Sequence, residues 1–254
     1  MEHYYLSNGT VGKYDTDQSA LYVVQYLRTR GNKVVATKKY LNALDFHYAV
    51  LFGHESSLTA SQIEELCYTL LTEGGYSSTA THIVELRYDA NRNLSLRVVE
   101  TSPYKHFTIR AVRPKGYIFP ITCHELTIQS SAWVAMRELM RQLSRAYDCD
   151  IPICINSDNN LWSVDGVSPF VVTGRNIYVN PTITSVEAMM VYDALKELKQ
   201  YVIIPTEISL NELLHADELF YVDHRGITSV HSVSRQLFSD NVANMVSNLL
   251  NNEI

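Results

Sequence analysis

The chain has 254 residues, of which 46% are hydrophobic and 19% are charged, which is typical of a globular protein with one large domain or two small ones. The formal net charge of -6 and the isoelectric point near 5.8 argue against a nucleic-acid partner, because polyanions are bound by an excess of lysine and arginine. No apolar run approaches the roughly 20 residues of a membrane helix, and the N-terminal MEHYYLSNGT lacks the order of a secretory signal. We therefore expect a cytoplasmic protein without a membrane partner.

Neither the cysteines nor the histidines predict a metal site. Cys67, Cys123, Cys149 and Cys154 show no CxxC or Cys-His ligand spacing, and cytoplasmic cysteines are usually free thiols. The nine histidines are scattered and form no HxxxH or HExxH motif. We expect no bound metal.

The first part of the chain predicts a small α+β unit. Apolar alternation indicates strands, and apolar residues at helical spacing indicate helices. The capping-box spacing of Thr59 and Gln62 marks a helix start, and Gly53 and Gly74 mark helix ends. The predicted elements are a hairpin of strands 21–27 and 33–36, helices at 41–51 and 60–73, and strands at 80–88, 94–100 and 108–112.

A polar, turn-forming RPKG at 113–116 predicts the boundary to a second lobe. Ser209 and Glu212 have capping-box spacing and mark the start of a short helix. The predicted elements of this lobe are helices at 133–147, 186–198, 210–214 and 241–250 and strands at 151–156, 161–164, 170–173, 177–180, 202–207 and 218–222.

The long helix at 133–147 carries two different rows of side chains. Apolar residues recur along one side from Met136 to Tyr147. Arg137, Arg141 and Arg145 share another side. We interpret the arginine row as a solvated face.

Four phrases occur in an order that resembles a known family: LNAL at 41–44, INSDNNLWSVDGVSPFVV at 155–172, YVNPTITSVEAMMVYDALKEL at 178–198, and LLHADELF at 213–220 followed by ITSV. They resemble the class IV aminotransferases, the fold type IV pyridoxal-phosphate enzymes that include branched-chain and D-amino-acid aminotransferases and aminodeoxychorismate lyase. The resemblance implies an α+β, two-lobed D-amino-acid-aminotransferase-like architecture. A small N-terminal α/β lobe would span 1–115 and a larger C-terminal mixed α/β barrel-like lobe 116–254, and the protein would be a homodimer.

The chemistry of this family requires residues that the chain lacks at the matching positions. A lysine holds the cofactor as a Schiff base and moves the substrate proton, but none stands at its place around Ile128 to Ser131. The arginine that pairs with the cofactor phosphate would fall near Ala43. The glutamate that faces the pyridine nitrogen is replaced by Ser163, and the nearest carboxylate is Asp165.

The phosphate-binding helix start of the family is also altered. Its Gly-Ile-Thr-Arg becomes SVEA at 185–188, where Thr184 and Glu187 have capping-box spacing and bring a carboxylate to the start of the helix. Two like unit charges about 4 Å apart cost about 1 kcal/mol in water and about 4 kcal/mol at an effective dielectric near 20. The loop that contains Gly-Thr in the family reads VDHRG at 222–226 in this chain, so Asp223 and His224 bring further titratable groups to it.

The chain is thus interpreted as a degenerate class IV aminotransferase, a pseudoenzyme with no catalytic, cofactor-binding or metal residue and no expected cofactor. It is either non-catalytic or binds another small molecule in the old cleft. The alternative is an active pyridoxal-phosphate-dependent aminotransferase or aminodeoxychorismate-lyase-like enzyme with relocated ligands, using Lys33, Lys38, Lys39, Lys105 or Lys115. The vestigial cleft positions are Ala43, Ile128, Ser130, Trp133, Ser163, Val186, Glu187 and His224.

A different enzyme or small-molecule binder in the same cleft is a further hypothesis. The juxtaposed titratable groups His124-Glu125 and Asp223-His224-Arg225 could perform acid-base chemistry in a dry pocket. A turn, a cap and a surface ion pair are the better-supported explanation of these residues. Trp133 either fills the volume of the cofactor or packs in an ordinary core.

Overall fold

The computed structural model describes residues 4–12, 21–102, 109–121, 128–183 and 185–252. The chain divides into two compact units. The first comprises Met1–Lys105 and Ile128–Val134, and the second comprises His106–Thr127 and Ala135–Ile254. The predicted lobe boundary between residues 115 and 116 lies within the second unit. The chain also returns once to the first unit after leaving it, which the sequence did not predict.

The first unit contains a six-stranded sheet and two helices, which confirms the predicted hairpin and both predicted helices. The strand order is β2-β1-β6-β5-β3-β4, with antiparallel pairing throughout. The elements are β1 Tyr5–Ser7, β2 Thr10–Gly12, β3 Tyr22–Arg30, β4 Lys33–Val34, α1 Thr37–Phe52, α2 Ala60–Glu73, β5 Thr81–Asp89 and β6 Leu94–Ser102.

Local sequence rules explain the turns and caps of this unit. Gly31 joins β3 to β4 with φ +57, and a Cβ added there would lie 2.3 Å from the carbonyl oxygen of Ser78, so the hairpin requires glycine. The Thr59–Gln62 capping box forms as predicted: Gln62 N donates to Thr59 Oγ1 at 3.3 Å, and Thr59 N donates to Gln62 Oε1 at 2.9 Å.

The second unit contains two five-stranded sheets, ordered β12-β11-β10-β13-β14 and β16-β15-β7-β8-β9. Parallel and antiparallel pairs are mixed, since β7 pairs in parallel with β8 while β8 pairs antiparallel with β9. The strands are β7 Lys115–Pro120, β8 Ile151–Ile155, β9 Leu161–Val164, β10 Pro169–Thr173, β11 Asn176–Val179, β12 Val202–Pro205, β13 Glu218–Asp223, β14 Gly226–Ser229, β15 Ser232–Val233 and β16 Gln236–Leu237. The helices are α3 Ser131–Arg145, α4 Val186–Glu197, α5 Leu210–Leu213 and α6 Asn241–Asn252.

The core of the second unit lies between the first of these sheets and the helices α4 and α6. Phe170 of β10 and Phe220 of β13 stack with their ring centroids 5.1 Å apart, and both are fully buried. Val191 and Leu195 of α4 and Val246 of α6 pack in the same cluster. Burying apolar side chains in this way supplies the main driving force for folding.

Two predicted details are wrong. The predicted strand at 108–112 is reduced to an isolated bridge between Ile109 and Ile227, and Thr108 lies outside the described residues. The cap of α4 is Ser185, whose Oγ accepts a hydrogen bond from Ala188 N at 3.2 Å, rather than Thr184, which is not described. No helix in the described ranges is long and apolar enough to cross a membrane.

Candidate functional site

The arginine row of α3 is not a solvated face. The side chain of Arg137 is only 6% exposed and that of Arg141 is 18% exposed, whereas Arg145 is exposed. Because residues four apart lie on the same side of a helix, Arg137 and Arg141 reach the same neighbourhood. The interpretation from the sequence is therefore correct for Arg145 alone, and the other two arginines contact buried carboxylates.

Two turns of the second unit supply those carboxylates. Asp165 follows β9 and has a left-handed backbone with φ +51, and its N–H donates to Pro152 O at 2.9 Å. Asp223 ends β13 and pairs with Gly226 across a two-residue hairpin turn to β14. Both side chains are almost fully buried, so each needs hydrogen-bond donors and positive partners.

All three arginines of the site contact one oxygen of Asp165. Arg141 binds the carboxylate with two donors, Nε to Oδ1 at 2.7 Å and Nη2 to Oδ2 at 2.6 Å. Arg137 Nη2 reaches the same Oδ2 at 2.9 Å, and Arg225 Nη2 reaches it at 3.1 Å. The hydroxyl of Tyr221 also donates to it, at 3.3 Å. Paired donors of this kind form the stronger class of hydrogen bonds.

Asp223 is held by two of these arginines. Arg137 Nη2 donates to Asp223 Oδ2 at 2.5 Å, and Arg225 Nε donates to the same oxygen at 2.9 Å. Arg225 also uses its backbone N–H, which donates to Asp223 Oδ1 at 2.9 Å. We call Arg137, Arg141, Asp165, Asp223 and Arg225 the arginine–aspartate cluster. It ties α3, the turn after β9 and the β13–β14 hairpin together.

The charges of the cluster are fixed by their mutual contacts. Burial alone would raise the pKa of Asp165 and of Asp223, but the nearby guanidinium groups, that of Arg137 first, hold both pKa values below their usual range. Burial lowers the pKa of His224 to about 3, an effect that Asp223 opposes and the arginines reinforce. The two carboxylates are therefore ionised at neutral pH, and the His224 imidazole is neutral.

Four of the predicted vestigial positions lie in the first unit. Ala43 is buried on α1, and Ile128, Ser130 and Trp133 lie in the segment that returns to this unit. The segment is anchored on β3, because Gln129 O accepts a hydrogen bond from Val24 N at 2.9 Å. Trp133 is almost fully buried, as ordinary core packing requires.

The other four vestigial positions lie in the second unit. Ser163 is on β9, two residues before Asp165, and His224 follows Asp223 in the β13–β14 turn, so both flank the cluster. Val186 and Glu187 form the buried first turn of α4. The cluster therefore joins the segments that carry Ser163 and His224. His124 and Glu125, proposed for acid-base chemistry, lie outside the described residues.

Reasoning from sequence missed the partnership of Arg137 and Arg141 with Asp165 and Asp223. The sequence does place Asp165 and Asp223 directly after the predicted strands 161–164 and 218–222, but it does not indicate the arginines of α3 as their partners. Asp223 and Arg225 do form the ion pair that was expected in this turn, but Asp223 is buried and does not lie at the surface. No group of histidine, cysteine and acidic side chains in the described part of the chain could hold a metal ion.

The fold is that of the class IV aminotransferases. A branched-chain amino acid aminotransferase from Escherichia coli has a TM-score of 0.79 and 13% identity, covering 100% of this chain and 96% of that chain. The branched-chain aminotransferase from Thermoproteus uzoniensis, solved with norvaline, has a TM-score of 0.78 and 12% identity, covering 97% of this chain and 93% of that chain. A fold IV transaminase from Curtobacterium pusillum has a TM-score of 0.77 and 13% identity, covering 98% of this chain and 99% of that chain. No family model matches the sequence, and no curated protein is similar to it.

Proposed function

We propose that this chain uses the class IV aminotransferase fold without pyridoxal phosphate, as a non-catalytic homologue whose own side chains occupy the segments that would hold the cofactor. The observation that carries the proposal is the arginine–aspartate cluster. By resemblance, the pyridine-facing glutamate of the family matches Ser163, and its Gly-Thr loop matches residues 222–226. Asp165 and Asp223, the two carboxylates of the cluster, stand in these two segments.

The hydrogen bonds of the cluster support the proposal because they occupy the acceptor oxygens of its carboxylates. A carboxylate that faces a pyridine nitrogen must accept the ring N–H to keep the nitrogen protonated. Asp165 already accepts from Arg137, Arg141, Arg225 and Tyr221. Freeing Asp165 for a pyridine would break charge-assisted hydrogen bonds in a buried site. This arrangement does not fit the cofactor's ring.

The start of α4 gives independent support. A phosphate group binds at a helix start through free backbone N–H groups and the positive end of the helix dipole. Here Ser185 Oγ accepts from Ala188 N, and the carboxylate of Glu187 is buried in the first turn. In its ionised form Glu187 would repel a phosphate dianion at this place.

The surroundings of the described lysines also support the proposal. A lysine takes this role when burial lowers its pKa. None of the described lysines is buried, and Lys196 forms a surface ion pair with Asp193 at 2.9 Å. Lys105, one of the proposed replacements, lies outside the described residues.

The proposal is tested by incubating the purified protein with pyridoxal phosphate, recording the absorbance spectrum, and locating lysine adducts by mass spectrometry after borohydride reduction. We expect no stable aldimine absorbance and only low, scattered modification of exposed lysines. One adduct per chain at a single lysine would instead establish the alternative, an active aminotransferase or lyase with relocated ligands. The scattered adducts serve as the internal control, because exposed lysines react without a built site.

We extend the proposal to the assembly and the location: a homodimer, which the resemblance implies, in the cytoplasm. Sedimentation should then give about twice the chain mass of 28.9 kDa. A species of the single-chain mass at micromolar concentration would contradict the dimer and leave the cofactor proposal untouched.

A further inference from the structure

The arginine–aspartate cluster carries one positive charge in excess, because three guanidinium groups share two carboxylates. Three described neighbours of the cluster, Tyr221, His224 and Glu138, do not balance the surplus. Tyr221 donates its hydroxyl proton to Asp165, and the His224 imidazole is neutral. The Oε2 atom of Glu138 lies 3.8 Å from Arg141 Nη1, but this carboxylate is half exposed and the contact is screened by water.

The surplus charge lies at the accessible side of the cluster. The side chains of Arg225 and Arg141 are 26% and 18% exposed, whereas that of Asp165 is 1% exposed. Their Nη2 atoms both contact Asp165 Oδ2, at 3.1 Å and 2.6 Å, which places the two guanidinium groups side by side. Within the described part of the chain, the Nη1 atoms of both arginines have no hydrogen-bond acceptor. Each of the two guanidinium groups therefore keeps one nitrogen that donates no hydrogen bond within the described residues.

We propose that Arg141 and Arg225 bind a small oxyanion, a carboxylate or phosphate group, at their paired outer edges. A partly buried net charge costs free energy unless a counter-charge accompanies it. Guanidinium groups match the oxygen spacing of carboxylates and phosphates and donate to them in pairs. Asp165 and Asp223 hold both arginines in place, so little side-chain entropy is lost on binding. The proposal requires only the cluster and does not rest on the absence of pyridoxal phosphate.

The test titrates the full-length protein with inorganic phosphate and, separately, with acetate, by calorimetry at constant ionic strength set with chloride. The variant Arg225→Lys keeps the charge but loses the planar pair of donors. The matched control is Arg145→Lys, since Arg145 is exposed on the same helix and forms no ion pair with the described residues. We expect at least one of the two anions to bind with a dissociation constant of about 1 mM or tighter. Binding should weaken about tenfold in Arg225→Lys and stay unchanged in Arg145→Lys.

Binding of acetate alone would assign a carboxylate ligand, and binding of phosphate alone a phosphate-bearing one. Dissociation constants above about 10 mM for both anions would overturn the proposal. So would equal affinity in the wild-type protein and in Arg225→Lys. If circular dichroism shows that Arg225→Lys does not fold, Arg141→Lys makes the same comparison on the other half of the pair. A single-lysine aldimine together with an intact oxyanion site would refute only the proposed loss of cofactor chemistry.

Discussion

Arg137 is buried, although arginine is rarely buried without a partner. Its guanidinium group donates to Asp165 and to Asp223, and both carboxylates hold its pKa above the ordinary value against the effect of burial. Such a group adds little stability compared with apolar residues of the same shape, but its removal leaves uncompensated charge behind. Each buried charge of the cluster is therefore compensated only as long as the other members are present.

We expect Arg137→Met to lower the free energy of unfolding at pH 7 by about 3–5 kcal/mol, because two buried carboxylates lose a shared partner. Urea denaturation followed by circular dichroism measures the change. The control is Arg145→Met, an exposed position on the same helix, where the change should stay within about 0.5 kcal/mol. Equal losses in the two variants would show that the cluster is not coupled to folding.

The stability should also depend on pH through His224. The pKa of His224 is about 3 in the folded protein against an ordinary value of 6.5. As the pH falls below 6.5 the unfolded chain takes up a proton that the folded protein excludes, so stability falls until the pH reaches about 3. The lowered pKa values of Asp165 and Asp223 act in the same direction below their ordinary value of 3.8.

The expected loss from His224 between pH 7 and pH 5 is about 2 kcal/mol. Comparing wild type with His224→Asn removes the contributions that other histidines make to both proteins. Chemical denaturation at several pH values should show a smaller loss in the variant over this window. Parallel profiles would mean that the His224 imidazole becomes protonated in the folded protein.

At the scale of elements, the start of α6 is capped by a residue that is distant in sequence. Glu218 on β13 accepts hydrogen bonds from Val242 N at 3.0 Å and from Ala243 N at 3.4 Å, and also from the hydroxyl of Ser239. A carboxylate at this position satisfies donors that the helix cannot use and complements its dipole. The contact fixes α6 against the sheet that contains β13.

We expect Glu218→Gln to destabilise the protein by about 1–3 kcal/mol. The glutamine amide carries no charge to complement the helix dipole, and its NH2 group cannot accept hydrogen bonds from the N–H groups at the start of α6. The control is Glu197→Gln, since Glu197 is exposed at the end of α4. Urea denaturation compares the two variants. Indistinguishable midpoints would show that α6 does not need this cap.

At the scale of the whole molecule, the residues between 106 and 115 belong with the second unit. Ile109 N donates to Ser247 Oγ at 3.0 Å, and Arg110 N donates to Ile227 O at 2.8 Å. His231 N donates to Pro114 O at 2.7 Å. These hydrogen bonds involve polar groups on β14, on α6 and at His231 before β15, and a cut at 115 would remove all three.

We therefore expect a fragment of residues 106–254 to be more resistant to urea and to proteolysis than a fragment of residues 116–254. Both fragments contain the arginine–aspartate cluster, so the comparison isolates residues 106–115. Circular dichroism and limited digestion report the difference. Equal resistance would favour the boundary that was predicted from the sequence.

The sequence predicted most elements because their signals are local. The Thr59–Gln62 capping box and the hairpin of strands 21–27 and 33–36 depend on residues a few positions apart, and the structure confirms both. The predicted strand at 108–112 is wrong because a short apolar stretch forms a strand only where a partner strand is available, and here Ile109 makes a single bridge. The resemblance in phrases such as LLHADELF was sufficient to identify the fold, which the solved structures share.

By itself the sequence determined the fold, because the order of elements and the types of residue can be read along the chain. Only the tertiary structure decided the environment of Arg137 and Arg141. A helix periodicity places both on one side of α3 but does not state what faces that side. Asp165 and Asp223 come from turns 28 and 86 residues from Arg137 in sequence, and only folding brings these opposite charges into one buried cluster.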